Sequence, residues 1–138
     1  MAKLKSVTVR GFKSIRELEK FALGNLNVLI GANGAGKSNF IGLFRMLAKV
    51  GQKQLQVYVQ EQDGPDALLF GTRKRTQSLE LEFHFDRNGY RVSLQPTGNR
   101  LIFTREEARS SGDSVDRPRS FGSGHDESSL LDDGVVSN

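Results

Sequence analysis

The chain has no cysteine among its 138 residues, so neither a disulfide framework nor a thiolate metal site can be built from it. That composition fits an intracellular protein. It has no continuous apolar run of signal-peptide or membrane-spanning length, and its first ten residues, MAKLKSVTVR, alternate apolar with polar. The expectation is a soluble, cytoplasmic protein with no membrane contact. Apolar residues are also scarce: at 36% they fall below the usual range, so part of the chain contributes little to a core. No internal repeat is present. A length of 138 residues fits one ordinary domain rather than a two-domain enzyme.

Charge is unevenly placed. Residues 1–75 hold thirteen Lys and Arg against five Asp and Glu, a balance of +8, whereas residues 76–138 hold seven against eleven, a balance of −4. The front half therefore favours an anionic partner, either a nucleotide or a nucleic acid, with a merely solvated basic face as the alternative. The densest basic cluster is GTRKRTQ, with Arg73, Lys74 and Arg75 adjacent. No aromatic residues interleave it, and contact with DNA phosphates stays an open reading there.

Leu4, Val7 and Val9 alternate with polar residues and predict a strand over 4–10, followed by the turn GFKSI and a second strand near 19–23. The β-branched run LNVLI, residues 26–30, predicts a buried strand. From Lys37, residues Phe40, Ile41, Phe44, Leu47 and Ala48 recur at three- and four-residue spacing, predicting a helix over about 37–50 that stops at Gly51. QLQVYVQ is readable as strand or helix, and EQDGPDALL contains a turn. LELEFHF and YRVSLQP alternate on either side of DRNG, where Asn88 and Gly89 suit positive φ. LIFT adds a third strand, giving an antiparallel meander over about 79–104. After Ser110 the chain is rich in Ser, Gly and Asp with no periodicity, which predicts a disordered or poorly packed tail.

The stretch GANGAGKSNF carries the chemistry. Gly31, four intervening residues, Gly36, Lys37 and Ser38 match the phosphate-loop pattern G-x-x-x-x-G-K-[ST] at every fixed position. Glycines let successive N–H groups turn inward onto phosphates, the lysine reaches the outer phosphates, and the serine hydroxyl takes a Mg²⁺ coordination position. The following helix offers its positive end to the same anion. A chance match arises roughly once in several tens of thousands of positions. The dinucleotide fingerprint G-x-G-x-x-G is excluded because glycines 31, 34 and 36 have the wrong spacing.

LKSVTVRGFKSI followed by LNVLIGANGAGKSNFI resembles the N-terminal lobe of ABC-type ATPases of the SMC and RecF class, a group that includes predicted AAA-family ATPases and the OLD proteins. The GFKS segment, Asn33 in the phosphate loop and the pair Ser38 and Asn39 carry the likeness, which covers residues 1 to about 107. The resemblance implies an α/β P-loop NTPase lobe with an antiparallel meander and a low-order tail over 108–138. It implies ATP and Mg²⁺ as ligands, with Gly31, Asn33, Gly34, Ala35, Gly36, Lys37, Ser38 and Asn39 around the nucleotide and Ser38 on the metal. Lys13 and Ser14 are implied near the sugar or inner phosphates. A second ATPase head, in a homodimer, is the implied partner, and DNA a further one.

The departures from that pattern limit the expectation. The family's Walker B strand, signature motif, glutamine loop and switch histidine are not visible, and no catalytic residue is assignable. SSLLDDG has two apolar residues before its acidic pair, and LIFTREE is interrupted by Thr104 and Arg105. His84 falls in an alternating strand, facing solvent or a neighbouring side chain, and His125 in the tail. The chain therefore reads as the front part of a longer ATPase, cut before Walker B. Three readings stand: an ATPase head acting with a partner head, a catalytically silent nucleotide-binding or head-association module, and a small-molecule kinase. The two strands before the loop and the meander after the helix disfavour the last, because simple kinases begin with the strand that feeds the loop.

Overall fold

The computed structural model describes residues 4–24, 37–110 and 118–130. Six strands form one antiparallel sheet: β1 (Leu4–Phe12), β2 (Ile15–Ala22), β3 (Leu79–Phe85), β4 (Asn88–Thr97), β5 (Arg100–Ser110) and β6 (Arg119–Ser120). Their order across the sheet is β2-β1-β3-β4-β5-β6. Two helices, α1 (Lys37–Gly51) and α2 (Leu55–Glu61), and a 3₁₀ turn at Pro65–Leu68 lie between β2 and β3. The expected strand LNVLI falls outside the described residues.

Alternation sets the sheet's faces. Leu79, Leu81 and Phe83 of β3 are buried, and so are Val7, Val9, Tyr90, Val92, Leu94, Leu101 and Phe103 on neighbouring strands. Leu43, Met46 and Val50 of α1 and Leu55, Tyr58 and Val59 of α2 join them in one core. Phe40 links β2 to α1, stacking edge-on against Phe21 and Phe44 with centroids 5.3 Å apart in each pair.

Several boundaries differ from the sequence expectation. Helix α1 ends at Gly51, as expected, and left-handed Lys53 at φ 56° makes the closure two residues further on. Gln54 N–H reaches Lys49 O at 2.9 Å and Lys53 N–H reaches Val50 O at 3.1 Å, the two bonds of a Schellman closure. QLQVYVQ is helical, forming α2. The DRNG turn does not use positive φ at Asn88 or Gly89, which already belong to β4. His84 pairs with Gly89, so the four residues between that last pair are 85–88 rather than 86–89. A Cβ on Gly89 would sit 3.8 Å from His84 Nδ1 and from Phe83 O, an ordinary contact, so neither the backbone nor the space there requires glycine. Strand β5 runs well beyond LIFT, through Ser110.

The expectation of a poorly packed tail is corrected for residues 118–130. This strap lies along β5, pairing Arg119 and Ser120 with Ala108 and Glu107. Gly124 N–H and Phe103 O are 2.7 Å apart, and Phe103 N–H and His125 O 2.9 Å. Its anchor is Glu106, a fully buried carboxylate. The hydroxyls of Tyr90 and Ser128 donate to it, Ser129 N–H donates at 2.9 Å, and His125 Nε2 lies 2.9 Å away. The His125 ring stacks on Phe103, 4.8 Å between centroids. Few apolar residues are needed because a satisfied buried charge holds the strap.

Glu106→Ala should therefore cost about 3 kcal/mol or more, since it leaves buried hydroxyls without their acceptor. Urea unfolding measures the loss, and limited proteolysis should find the strap released first. The Tyr90 phenol is pushed well above its ordinary value, first by burial and then by its bond to Glu106. Above about pH 10 the unfolded tyrosine ionises while Tyr90 keeps its proton, so this contribution is intact below that pH and lost above it. Stability should fall more between pH 9 and pH 11 in the parent than in Tyr90→Phe, as urea midpoints at the two values would register.

Candidate nucleotide-binding site

The β1–β2 hairpin closes through two residues, Lys13 and Ser14, between the paired Phe12 and Ile15. Lys13 has φ 49°, a left-handed conformation in the first loop position, where glycine is the usual choice. The segment after α2 grips this turn. Lys13 N–H donates to Leu68 O at 3.0 Å, Phe12 bridges Leu69, and Phe70 N–H donates to Gly11 O at 2.9 Å. Gly11 itself sits at φ 84°, and a Cβ there would come within 2.6 Å of Thr76. The backbone of the GFKS turn is thus fixed from two sides.

That turn faces the start of α1. Asn39 Nδ2 donates to Ser14 Oγ at 2.6 Å, and Lys13 Nζ lies against Gly42, one turn further along. Ser38 is exposed. The first turn of α1 carries no acidic side chain, which suits a bound anion at the helix's positive end. Lys13, Ser14, Ser38 and Asn39, four of the residues expected from sequence, thus surround one end of α1. Gly31, Asn33, Gly34, Ala35 and Gly36 lie outside the described residues, and of Lys37 only the backbone, which begins α1, is described.

The basic segment divides. Arg73 is engaged: its backbone N–H and Nε both donate to Asp66 Oδ1 at 2.9 Å, and Nη2 donates to Gly98 O at 2.7 Å. The Arg73 side chain, then its backbone, hold the Asp66 carboxyl below the usual carboxylate range. Arg75 instead lies over the Phe70 ring, 5.0 Å from its centroid, and lines a hollow with Arg10 and Arg16. Phe70 supplies an aromatic partner that the linear spacing did not reveal. Arg10 in that hollow is paired with Glu17 and Glu19, at 3.4 and 2.6 Å. His84 is hydrogen-bonded with Glu82 at 2.7 Å. Glu106, in the LIFTREE stretch set aside as a Walker B strand, is occupied by the strap.

Sequence reasoning did not pick out Gln62 or Glu127. Lys13 Nζ donates to Gln62 Oε1 at 3.2 Å. Glu127 caps α2, accepting from Leu55 N–H at 2.7 Å and Gln56 N–H at 3.1 Å. Both contacts join residues far apart in the chain, and no local pattern announces them.

A phosphate-loop sequence running into a helix whose first turn is free of acids is the chemistry of a nucleotide-binding domain. The chain belongs to the AAA ATPase domain family, whose model matches residues 2–129. It is 30% identical over 115 residues to the chromosome partition protein Smc of Coxiella burnetii, covering 80% of this chain and 10% of that protein. It is 36% identical over 87 residues to the chromosome partition protein Smc of Desulfitobacterium hafniense, covering 60% and 7%. A urease accessory protein 2 of Cryptococcus neoformans is 32% identical over 111 residues, covering 74% and 8%. The chain thus spans a tenth or less of the length of these curated relatives. No solved structure gives a significant match. Family membership supports ATPase-type function and nucleotide binding in general terms. Among the described residues no helix is long and apolar enough to cross a membrane.

Left-handed Lys13 yields a stability prediction separate from binding. Lys13→Gly should be more stable than Lys13→Ala by about 1 kcal/mol, because glycine alone relieves the backbone strain. Thermal unfolding of the two variants measures the difference.

Proposed function

We propose that this chain is the nucleotide-binding lobe of an SMC- and RecF-like ATPase head, holding the polyphosphate of Mg·ATP at the start of α1. The observation that carries this reading is the unbroken run from Gly31 through Gly36, Lys37 and Ser38 into α1, with Ser14 bonded to Asn39 beside it. In this reading Gly31, Asn33, Gly34, Ala35 and Gly36 supply backbone amides, Lys37 contacts the outer phosphates, and Ser38 offers its hydroxyl to Mg²⁺. Magnesium, when bound, neutralises phosphate charge. Exposed Ser38 and an acid-free first turn fit both groups.

Hydrolysis further needs a residue that orients the attacking water and charge that stabilises the transition state. No residue of this chain is assigned to either task. In the proposed head those groups come from elsewhere in a longer protein and from a second head closing over the nucleotide. The alternative is a lobe that binds nucleotide or a partner head without turnover. Calorimetry with Mg·ATP should give saturable heat for the parent, and Lys37→Ala should weaken binding on the order of 10- to 100-fold. The absence of heat from the parent, or equal affinity in Lys37→Ala, overturns the reading. Steady-state phosphate release measured alongside separates an active head from a silent module.

The Smc relatives make chromosome partition, and with it DNA, the natural setting to test. The hollow lined by Arg16 and Arg75 is where we place contact with a nucleic-acid backbone, while Arg73 serves the fold. Arg16→Ala and Arg75→Ala should each lower the slope of log affinity against log salt for duplex DNA by about one. A slope unchanged in both variants removes this site.

A further inference from the structure

Lys13 is held differently from six described cations that are paired with acids. Lys5, Arg10, Arg73, Arg91, Arg100 and Arg105 all lie beside carboxylates, at 2.6 to 3.7 Å. Among the described residues Lys13 has no ion pair, and its ammonium donates to the neutral side-chain carbonyl of Gln62. Lys49 also meets an amide, Gln54, but at the opposite end of α1. A carboxylate would fix the ammonium and cancel its charge; an amide fixes it and leaves the charge whole.

Gln62 is itself rigidly placed. It is the C-cap of α2, with its N–H on Tyr58 O at 3.0 Å. The next two residues close the helix: Asp63 N–H reaches Gln60 O at 3.1 Å and Gly64 N–H reaches Val59 O at 2.8 Å. Pro65 then opens the 3₁₀ turn whose Leu68 carbonyl binds the Lys13 backbone. The same short segment thus holds Lys13 at its amide and at its ammonium. Gly42, against which the ammonium rests, follows Ser38 by four residues, about 6 Å along the helix axis. That places a positive charge with no acid paired to it, among the described residues, on the order of a Debye length, about 8 Å, from the helix start.

We propose that Gln62 is a positioning residue for nucleotide binding: it holds the Lys13 ammonium beside α1 with its charge intact, so that Lys13 adds to the attraction of the phosphate site. The inference rests on the nucleotide-binding reading above. It gives the left-handed backbone of Lys13 a reason, since glycine would suit the turn better but carries no ammonium. It also makes α2 part of the site, although no residue of α2 belongs to the phosphate-loop pattern.

The test is calorimetry with Mg·ATP on the full chain, comparing the parent, Lys13→Met, Gln62→Met, the double variant and Gln62→Glu, with thermal unfolding of each. Lys13→Met and Gln62→Met should each weaken binding about five- to tenfold, and the double variant no more than the weaker single. Both singles should lower the salt dependence of ATP affinity by the same amount, which loss of packing alone would not do. Gln62→Glu keeps the ammonium in place but cancels its charge, so it should bind as weakly as Gln62→Met while unfolding at the parent's temperature or above. Parent-like affinity in either Gln62 variant overturns the proposal, as does a double variant whose loss is the product of the singles. A parent that gives no heat overturns the nucleotide-binding reading itself, and this inference with it.

Discussion

The structure depends on keeping one buried negative charge satisfied. Glu106 is fully enclosed in a sheet whose neighbouring inward positions are apolar, and a carboxylate there is tolerable only with its oxygens occupied. One donor comes from β4 and the rest from the strap, so burial of the charge and docking of the strap are a single event. The docked strap brings Glu127 to the first amides of α2. Gln56 completes the join, donating to Leu101 O and Asp126 O and accepting from Leu101 N–H. At its other end α2 presents Gln62 to Lys13. A chain of named contacts thus runs from the far side of the sheet to the start of α1.

Much of this was legible along the sequence, and the failures have physical causes. β3 reads clearly because Leu79, Leu81 and Phe83 alternate with Glu80, Glu82 and His84. The antiparallel sheet is accordingly as expected, while β5 seemed short because Thr104, Arg105 and Glu106 look like the end of a strand. Hydropathy cannot register a buried acid whose partners lie about twenty residues away. α2 was ambiguous because Leu55, Val57 and Val59 fit a strand as well as Leu55, Tyr58 and Val59 fit a helix. Only the exposure of Val57 decides between them. Gly51 does end α1, but the left-handed residue that closes the helix is Lys53, which no residue preference announces. The strap was misjudged because its stability comes from hydrogen bonds to Glu106 and α2 rather than from apolar residues.

The site was legible in a different sense. Its pattern is a matter of residue identity rather than periodicity, so Gly31, Gly36, Lys37 and Ser38 could be named directly, and so could Lys13 and Ser14 from the family likeness. What the pattern leaves out is support. The grip of Leu68 and Phe70 on the two-residue turn, and the amide that orients Lys13, come from the segment 55–70, which carries no motif. Membership of the AAA ATPase domain family places the chain among ATPases. The short share of each long relative that it matches leaves partner heads, DNA and turnover to experiment.

The bonds that cap α2 have one more consequence, for synthesis. Leu55 and Glu127 are 72 residues apart, and the chain leaves the ribosome from its N-terminus. While residues up to 110 are being made, β1 to β5 and α1 have their own partners and can pack as they emerge. The first turn of α2 must wait for an acid that is translated much later. A released chain ending just before Ser120 would therefore have an α2 whose leading amides still face water.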